Sequence, residues 1–368
     1  MQIGAVVTGT LVGSAVLTLA VGLRAGRAPR RTLLLASAVL MAVTGAGFAS
    51  VRAFWPLLIV AVVGTLNPSA GDVSVFLPAE QALLADEATA AARPRLYARY
   101  NLAGTLAGAF GALASGLPGN TRVGFVLYGF AALVVGVLYR GLDRVAPPPR
   151  AEGPRRALRT SRRTVLELAA LFSLDAAGGG FAVTSLLVLW LHLRFGLSPG
   201  TTGALFFGTG LLGAASQLLA GRLADRFGLV RTMVFTHLPA GALLALVALA
   251  PTSGVAMALL LLRSLLAQMD VPARQAFVMA VVPPEERAAA ASVTNVPRSL
   301  ASATTPLLAG ILLTHSHFGW PLVIAGITKM AYDLLLLRLY SGMVVEEGAV
   351  RTPSGSRRSG SRRSGPSR

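Results

Sequence analysis

Several ionisable residues of this 368-residue sequence stand inside otherwise apolar stretches. Asp175 lies in the run 164–194 and is followed by Gly178, Gly179 and Gly180. At 1.5 Å per residue it falls about 15 Å into a helix that begins near 164. Three glycines each weaken a helix by about 1 kcal/mol relative to alanine and permit a bend or an unwound turn. An acid beside such a break suits uptake and release of a proton or cation. The plainer alternative is close helix packing on the glycines, with Asp175 bonded locally.

A second set occupies the run 254–282. Arg263, Asp270 and Arg274 are seven and eleven residues apart, which places them within about 20° of one face of a continuous helix. Gln275 follows, and Pro272 between the charges frees a backbone carbonyl one turn earlier. Arg298 follows Asn295 and Pro297 in the run 287–314. Lys329 and Asp333 are four apart in the last run, a spacing at which they neutralise each other and serve structure. An ionisable group at the centre of a membrane helix costs about 2.5–3.5 kcal/mol on insertion scales, so each persists only if paired or useful. Asp175 and Asp270 are the preferred titrating groups, with Arg263 and Arg298 as orienting charges.

The elements that must hold these residues are membrane helices. Hydrophobic residues make up 54 % of the chain and charged residues 13 %, about half the share usual in soluble proteins. Apolar runs of about 20 residues, long enough to cross the hydrocarbon as helices, fall near 4–23, 32–50, 54–85, 96–118 and 122–140. Six more follow at 164–194, 199–221, 231–250, 254–282, 287–314 and 319–342. The fold class is thus an all-α membrane protein with about eleven spans, five and then six. Residues 1–142 form a first bundle, 143–163 a basic linker with Pro147, Pro148 and Pro149, 164–342 a second bundle, and 343–368 a disordered Ser/Arg tail.

Arginines crowd alternate loops, at 24–31, 93–99, 144–163, 222–231, 287 and the tail, while Arg52, Arg122 and Arg194 stand alone in the others. The positive-inside rule puts the rich set and the C-terminus in the cytoplasm and the N-terminus outside. The net charge of +18 would suit nucleic acid, but its placement reads as a topology signal and an attraction to anionic lipid. Residues 4–23 lack a basic stretch before them and read as a retained span, not a cleaved leader. No P-loop appears, so ATP is not the energy source. The chain has no cysteine, and His315 and His317 lack further ligands nearby, so neither a metal nor another cofactor is expected. No nucleophile–base arrangement suggests an enzyme.

Residues 78–116 recur without a gap at 272–310, aligning Pro78 with Pro272, Gln81 with Gln275, Arg93 with Arg287, Asn101 with Asn295 and Gly116 with Gly310. Duplicated halves in an apolar chain mark many transporter folds. The repeat pairs 199–221 with 4–23 and 231–250 with 32–50, and leaves 164–194 without a mate. A first helix of about thirty residues is therefore expected before Met1, lost or cut off by a late start. The segment Gly71-Asp72 through Pro78, Glu80 and Gln81 mirrors the run around Asp270. Glu80 stands where the second half has Arg274, so the two can pair across the bundles; equally, Glu80 can meet Arg93 or Arg99.

Gly221-Arg-Leu-Ala-Asp225-Arg226-Phe-Gly228-Leu-Val-Arg231 lies between two spans. It resembles the G-x-L-x-D-R-x-G-x-[RK] loop signature of the major facilitator superfamily. Physically, the glycines allow close approach and unusual backbone angles. The matching first-half loop, Leu23 to Thr32, keeps arginines but has no acid. The resemblance implies two pseudo-symmetric helical bundles that rock about a central cavity. It also implies that Gly221, Asp225, Arg226, Gly228 and Arg231 gate it, and the repeat adds Arg274 and Glu80 as a gating pair across the bundles when the cytoplasmic side closes. The function expected is secondary transport of a small organic solute by a monomer, driven by a proton or another coupling ion, with Asp72 and Gln275 as further binding groups. Export of drug-like compounds is the first expectation, and a cavity holding both signs also fits uptake of an organic acid or zwitterion. The alternative is a non-transporting sensor or scaffold descended from a transporter.

Overall fold

A computed structural model describes residues 2–24, 30–64, 66, 93–117, 121–141, 161–283, 286–340, 344–346 and 349–351. The first half contributes α1 (Gln2–Arg24), α2 (Arg30–Ser50), α3 (Phe54–Val63), α4 (Arg93–Ser115) and α5 (Thr121–Arg140). The second contributes α6 (Arg162–Phe181), α7 (Thr184–Phe195), α8 (Pro199–Phe227), α9 (Leu229–Ala248), α10 (Ser253–Ser264), α11 (Asp270–Val281), α12 (Arg287–His315) and α13 (Trp320–Tyr340). Among the described residues, six helical stretches are long and apolar enough to cross a membrane. Their outward faces suit that surrounding. On α5, Val123, Val126, Leu127, Phe130, Leu133, Val137 and Leu138 are all more than half exposed, an apolar face that lipid accommodates and water does not.

Local chemistry sets the boundaries. Ser198 caps α8 by accepting the Thr201 N–H at 3.2 Å, and Pro199 fills the first turn where no amide hydrogen is needed. Gly196 ends α7 in the left-handed region at φ 67°, with its N–H on His192 O. Two of the expected spans are interrupted. The run 164–194 breaks at Ala182 and Val183, just after the three glycines, and the run 254–282 breaks at 265–269, ahead of Pro272. The segment expected to be a tail carries a short antiparallel hairpin, β1 (Val344–Glu346) with β2 (Ala349–Arg351), lying against α11.

The duplication is visible in which helices touch. In the first half α2 packs on α5, and in the second half their mates α9 and α13 pack on each other. Between the halves α1 meets α12, and α4 meets α8. The repeat carries α1 onto α8 and α4 onto α12, so these are one contact made twice. Small residues make both, as expected where lipid removes any hydrophobic drive between helices. A side chain at Gly4 would strike Pro306 O and the backbone of Gly310, and one at Gly203 would strike Ala112 O and the backbone of Gly116. Gly116 and Gly310 are matched residues of the repeat.

Two apolar layers fill the second half. One gathers Leu168, Phe172, Met233, Phe277, Leu336 and Tyr340, near the ends of α6 and α9 that flank the linker and Gly228. The other gathers Trp190, Leu191, Leu244, Val247, Leu260 and Leu322 toward the opposite end. On the helices that contribute to both, a short stretch between them contains the charges.

Candidate functional site

Asp175 on α6, His237 on α9, Asp270 and Arg274 on α11, and Lys329 and Asp333 on α13 meet in that gap. The three acids and the histidine are each at most 4 % exposed. Close approach of the helices makes this possible. A side chain at Gly178 would press on Ala325 O and on Lys329, and one at Gly180 would collide with Ser302 O and Thr305 Oγ1. The glycines after Asp175 therefore act as packing surface, and the chain unwinds only beyond them.

Asp175 is the hub. Lys329 Nζ donates to its Oδ1 at 2.7 Å, and Arg274 Nη1 donates to its Oδ2 at 3.1 Å. Arg274 also lies 3.7 Å from Asp270 Oδ2, one turn earlier on α11. Asp333 holds the other side of the cluster, with its two oxygens 3.1 and 3.0 Å from His237 Nδ1. Nε2 of the same ring faces Lys329 Nζ at 3.4 Å and Asp175 Oδ1 at 3.6 Å. The Tyr332 ring meets the imidazole edge-on at 5.9 Å, and the Arg274 guanidinium lies over the Phe172 ring.

Lys329 and Asp333 thus reach to other helices, contrary to their expected neutralisation of each other. Sequence spacing shows that two residues share a face and cannot show what that face meets. The single charged face expected for Arg263, Asp270 and Arg274 is likewise divided by the interruption at 265–269. Asp270 and Arg274 join the cluster. Arg263 is half-buried on α10, feels Asp175 at longer range, and has a buried Nε without a hydrogen-bond partner. Gln275 is exposed and Arg298 is half-buried on α12; neither meets Asp175. Asp72 and Glu80 lie outside the described residues.

Asp175, His237 and Asp270 also bring their ligand atoms within 4.8 Å of one another, as a cation site would. Lys329 and Arg274 already engage both oxygens of Asp175, so the protein's own cations fill that role. His237 was absent from the sequence-based site. Its only signal is that it is the sole ionisable residue of α9 after Arg231.

The loop signature sits apart, at the α8–α9 corner. Gly228 has φ 86° and ψ 159°, a conformation essentially confined to glycine, and it joins the two helices with no further linker. Gly221, expected to permit close approach, is exposed within α8 with nothing within 4 Å of an added side chain. Asp225, Arg226 and Arg231 are exposed, and the Arg226 guanidinium lies 5.4 Å from the Phe227 ring centre.

A cavity of about 420 Å³ opens elsewhere, between the halves, where α1 and α4 face α7 and α8. Ser115, Thr184, Ser185, His192, Thr202 and Phe206 contribute to its wall, and none of the clustered charges does.

A bundle of lipid-compatible helices, duplicated and joined through two symmetry-related small-residue contacts, defines a class of membrane protein. The chain belongs to the Major Facilitator Superfamily, whose family signature matches residues 1–191 and again 168–366. The uncharacterized membrane protein YJR124C of Saccharomyces cerevisiae is 26 % identical over 93 % of this chain and 87 % of its own. Among solved structures, the nucleoside transporter NupG superposes with a TM-score of 0.69 at 11 % identity, over 92 % of this chain and 90 % of that one. A bacterial homologue of the human lysosomal transporter Spinster, inward-facing and occupied, gives 0.68 at 15 %, over 95 % and 91 %. The human organic anion transporter MFSD10 gives 0.64 at 20 %, over 91 % and 83 %.

Proposed function

We infer that this protein carries a small organic solute across a membrane by alternating access, with a proton as the coupling ion. The observation that carries this reading is the buried layer in which three acids, two bases and a histidine share one network. A charge inside a membrane helix is expensive and is retained where it pairs or does work. A network so closely balanced changes its net charge, and therefore its bonding, when one proton is added. Family membership supports solute carriage. The fold neighbours are named for organic anion and nucleoside transport, so the fold speaks to the mode of transport and leaves the cargo open.

The solute is assigned to the space between the halves, and the coupling proton to the charge layer. The two communicate along one piece of chain. Asp175 on α6 and Thr184 and Ser185 in the cavity wall on α7 are separated by nine residues and the interruption at Ala182–Val183, about 13 Å of helical rise. A change in how Asp175 is held would tilt α6 against α7 and alter the wall. The exposed corner at Asp225, Arg226 and Arg231 is assigned to gating on the cytoplasmic side.

The test is transport in proteoliposomes with a panel of organic anions, nucleosides and lipophilic cations under an imposed pH gradient. At least one solute should accumulate. Asp175→Asn and Asp270→Asn should lose gradient-driven accumulation while sparing counterflow, which needs no net proton movement. Normal accumulation by both variants would leave these acids as structural partners of the neighbouring bases. One observation favours a second reading, a sensor or scaffold: the acids are already held by the protein's own cations and none lines the cavity. That reading gains if the parent protein moves nothing across the panel.

A further inference from the structure

The geometry points to His237 as the group that takes the proton, by exchanging with Lys329 for a single oxygen of Asp175. This deepens the proton-coupled reading and rests on it.

The ring's two nitrogens face different partners. Nδ1 lies against both oxygens of Asp333. An ionised carboxylate only accepts, so Nδ1 carries a hydrogen and donates. Nε2 has two neighbours that make opposite demands. Lys329 Nζ at 3.4 Å is a donor only and requires a bare Nε2, whereas Asp175 Oδ1 at 3.6 Å is an acceptor and requires Nε2–H. Lys329 Nζ itself binds that same Oδ1 at 2.7 Å. With Lys329 in place the ring is neutral, protonated at Nδ1 alone. If Lys329 withdraws, a proton from solvent on Nε2 lets the imidazolium bridge Asp333 to Asp175. That bond needs a closure of under about 1 Å to reach ordinary hydrogen-bond length. The displaced ammonium has a destination, because Asp333 lies four residues on along α13, within reach on the same helix face.

The surrounding charges favour this exchange. Around His237, α6 presents Asp175, α10 presents Arg263, α11 presents Asp270 and Arg274, and α13 presents Lys329, Asp333 and the Tyr332 ring. The charges of α8, Arg222, Asp225 and Arg226, lie at the Gly228 corner, about 13 Å along α9 from His237 at nine residues' rise. Counting Arg263, three bases face three acids among the described residues when His237 is neutral. When Lys329 leaves Asp175 for Asp333, Asp175 keeps only Arg274, and a proton on His237 gives the vacated oxygen a new cation. The proton forms the Nε2–H bond, the Lys329–Asp175 hydrogen bond breaks, and no other atom is gained or lost.

The chain has four histidines, and the other three, His192, His315 and His317, are exposed. Nitrogen-15 spectra of the full chain in lipid nanodiscs, labelled at histidine and assigned with His237→Gln, read the ring directly. At pH 8 the expected form carries hydrogen on Nδ1 alone, and Lys329→Met should convert it to the doubly protonated ring at the same pH. On acidification the parent should gain the doubly protonated ring, while Asp175→Asn, which keeps an acceptor oxygen but lacks its negative charge, should not. The second variant carries the test if Lys329→Met is not recovered folded. Hydrogen on Nε2 alone at pH 8, or a ring form that neither variant changes, overturns the assignment. The spectra need no solute. A protein that shows the exchange but transports nothing sinks the transport reading alone, and one that accumulates solute with an unresponsive ring sinks this one.

Discussion

Removing charge from the hub should be costly, and removing its partner as well should cost less than the two losses added together. Asp175→Asn deletes the negative charge held by Lys329 at 2.7 Å and Arg274 at 3.1 Å. Breaking a buried ion pair from one side costs about 3–5 kcal/mol, because the orphaned charge remains buried. Here the orphans have second partners. Lys329 can turn to His237 Nε2 at 3.4 Å, and Arg274 to Asp270 at 3.7 Å, so the cost falls at the lower end. A loss of about 3 kcal/mol lowers the folded-to-unfolded ratio more than about a hundredfold. Lys329→Met should cost a similar amount, because Asp175 loses its shortest ion pair and keeps only Arg274 at 3.1 Å and the His237 ring. In Asp175→Asn with Lys329→Met no charge of this pair is left, and the double variant should recover about 1–2 kcal/mol relative to the sum of the single losses, within the range seen for contacting residues. Unfolding by SDS in mixed micelles, followed by tryptophan fluorescence, gives all three values. Additivity within about 0.5 kcal/mol would refute the reasoning, since it is the mark of sites that do not interact.

Reporter fusions after Pro149 and at the C-terminus should both report the cytoplasm, and either one outside would overturn the arrangement drawn from the arginine-rich loops. Asp225→Asn should lower transport yet leave thermal stability within about 0.5 kcal/mol of the parent, because Asp225 is exposed and makes no hydrogen bond or ion pair among the described residues. A large loss of folded protein would instead make Asp225 structural. Gly228→Ala should cost about 1–3 kcal/mol for its φ of 86°, while Gly221→Ala should be neutral or gain up to about 1 kcal/mol, and unfolding curves that rank the two the other way would show the corner to be misdescribed.

The frame was readable because duplication and hydrophobicity are both written along the chain. The matched Gly116 and Gly310 proved to sit at the two equivalent contacts between halves, and the unmatched run 164–194 is the one whose helix α6 packs on α12 with no counterpart among the described residues of the first half. Asp175, Asp270 and Arg274 were found from the cost of burying charge. The same rule applied to His237 would have found it too, but a lone histidine in an apolar run is weakly charged and easily read as core. What the sequence does not contain is which helix stands opposite. Lys329 and Asp333 are neighbours in the chain and partners of different helices in space. Arg263 shares a face with Asp270 only on an unbroken helix, and five residues of turn remove that relation.

The two halves also serve as each other's control. Gly45 on α2 meets the backbone of Gly129 on α5, and Gly241 on α9 meets that of Gly326 on α13, so these glycine contacts register one crossing against the other. His237 stands four residues before Gly241, and four before Gly45 stands Met41. Lys329 and Asp333 stand three and seven after Gly326, where the first half has Ala132 and Gly136 after Gly129. The crossing therefore packs with Met41, Ala132 and Gly136 where its mate holds an imidazole, an ammonium and a carboxylate. Ala132 is buried there at 1 % exposure. Apolar groups of suitable shape commonly match or exceed a buried ion network in stability. The fold does not need the charges to make this contact. Among the described residues the charges stand at this crossing in the second half and not at its mate in the first, which sets the network apart from what the shared packing requires.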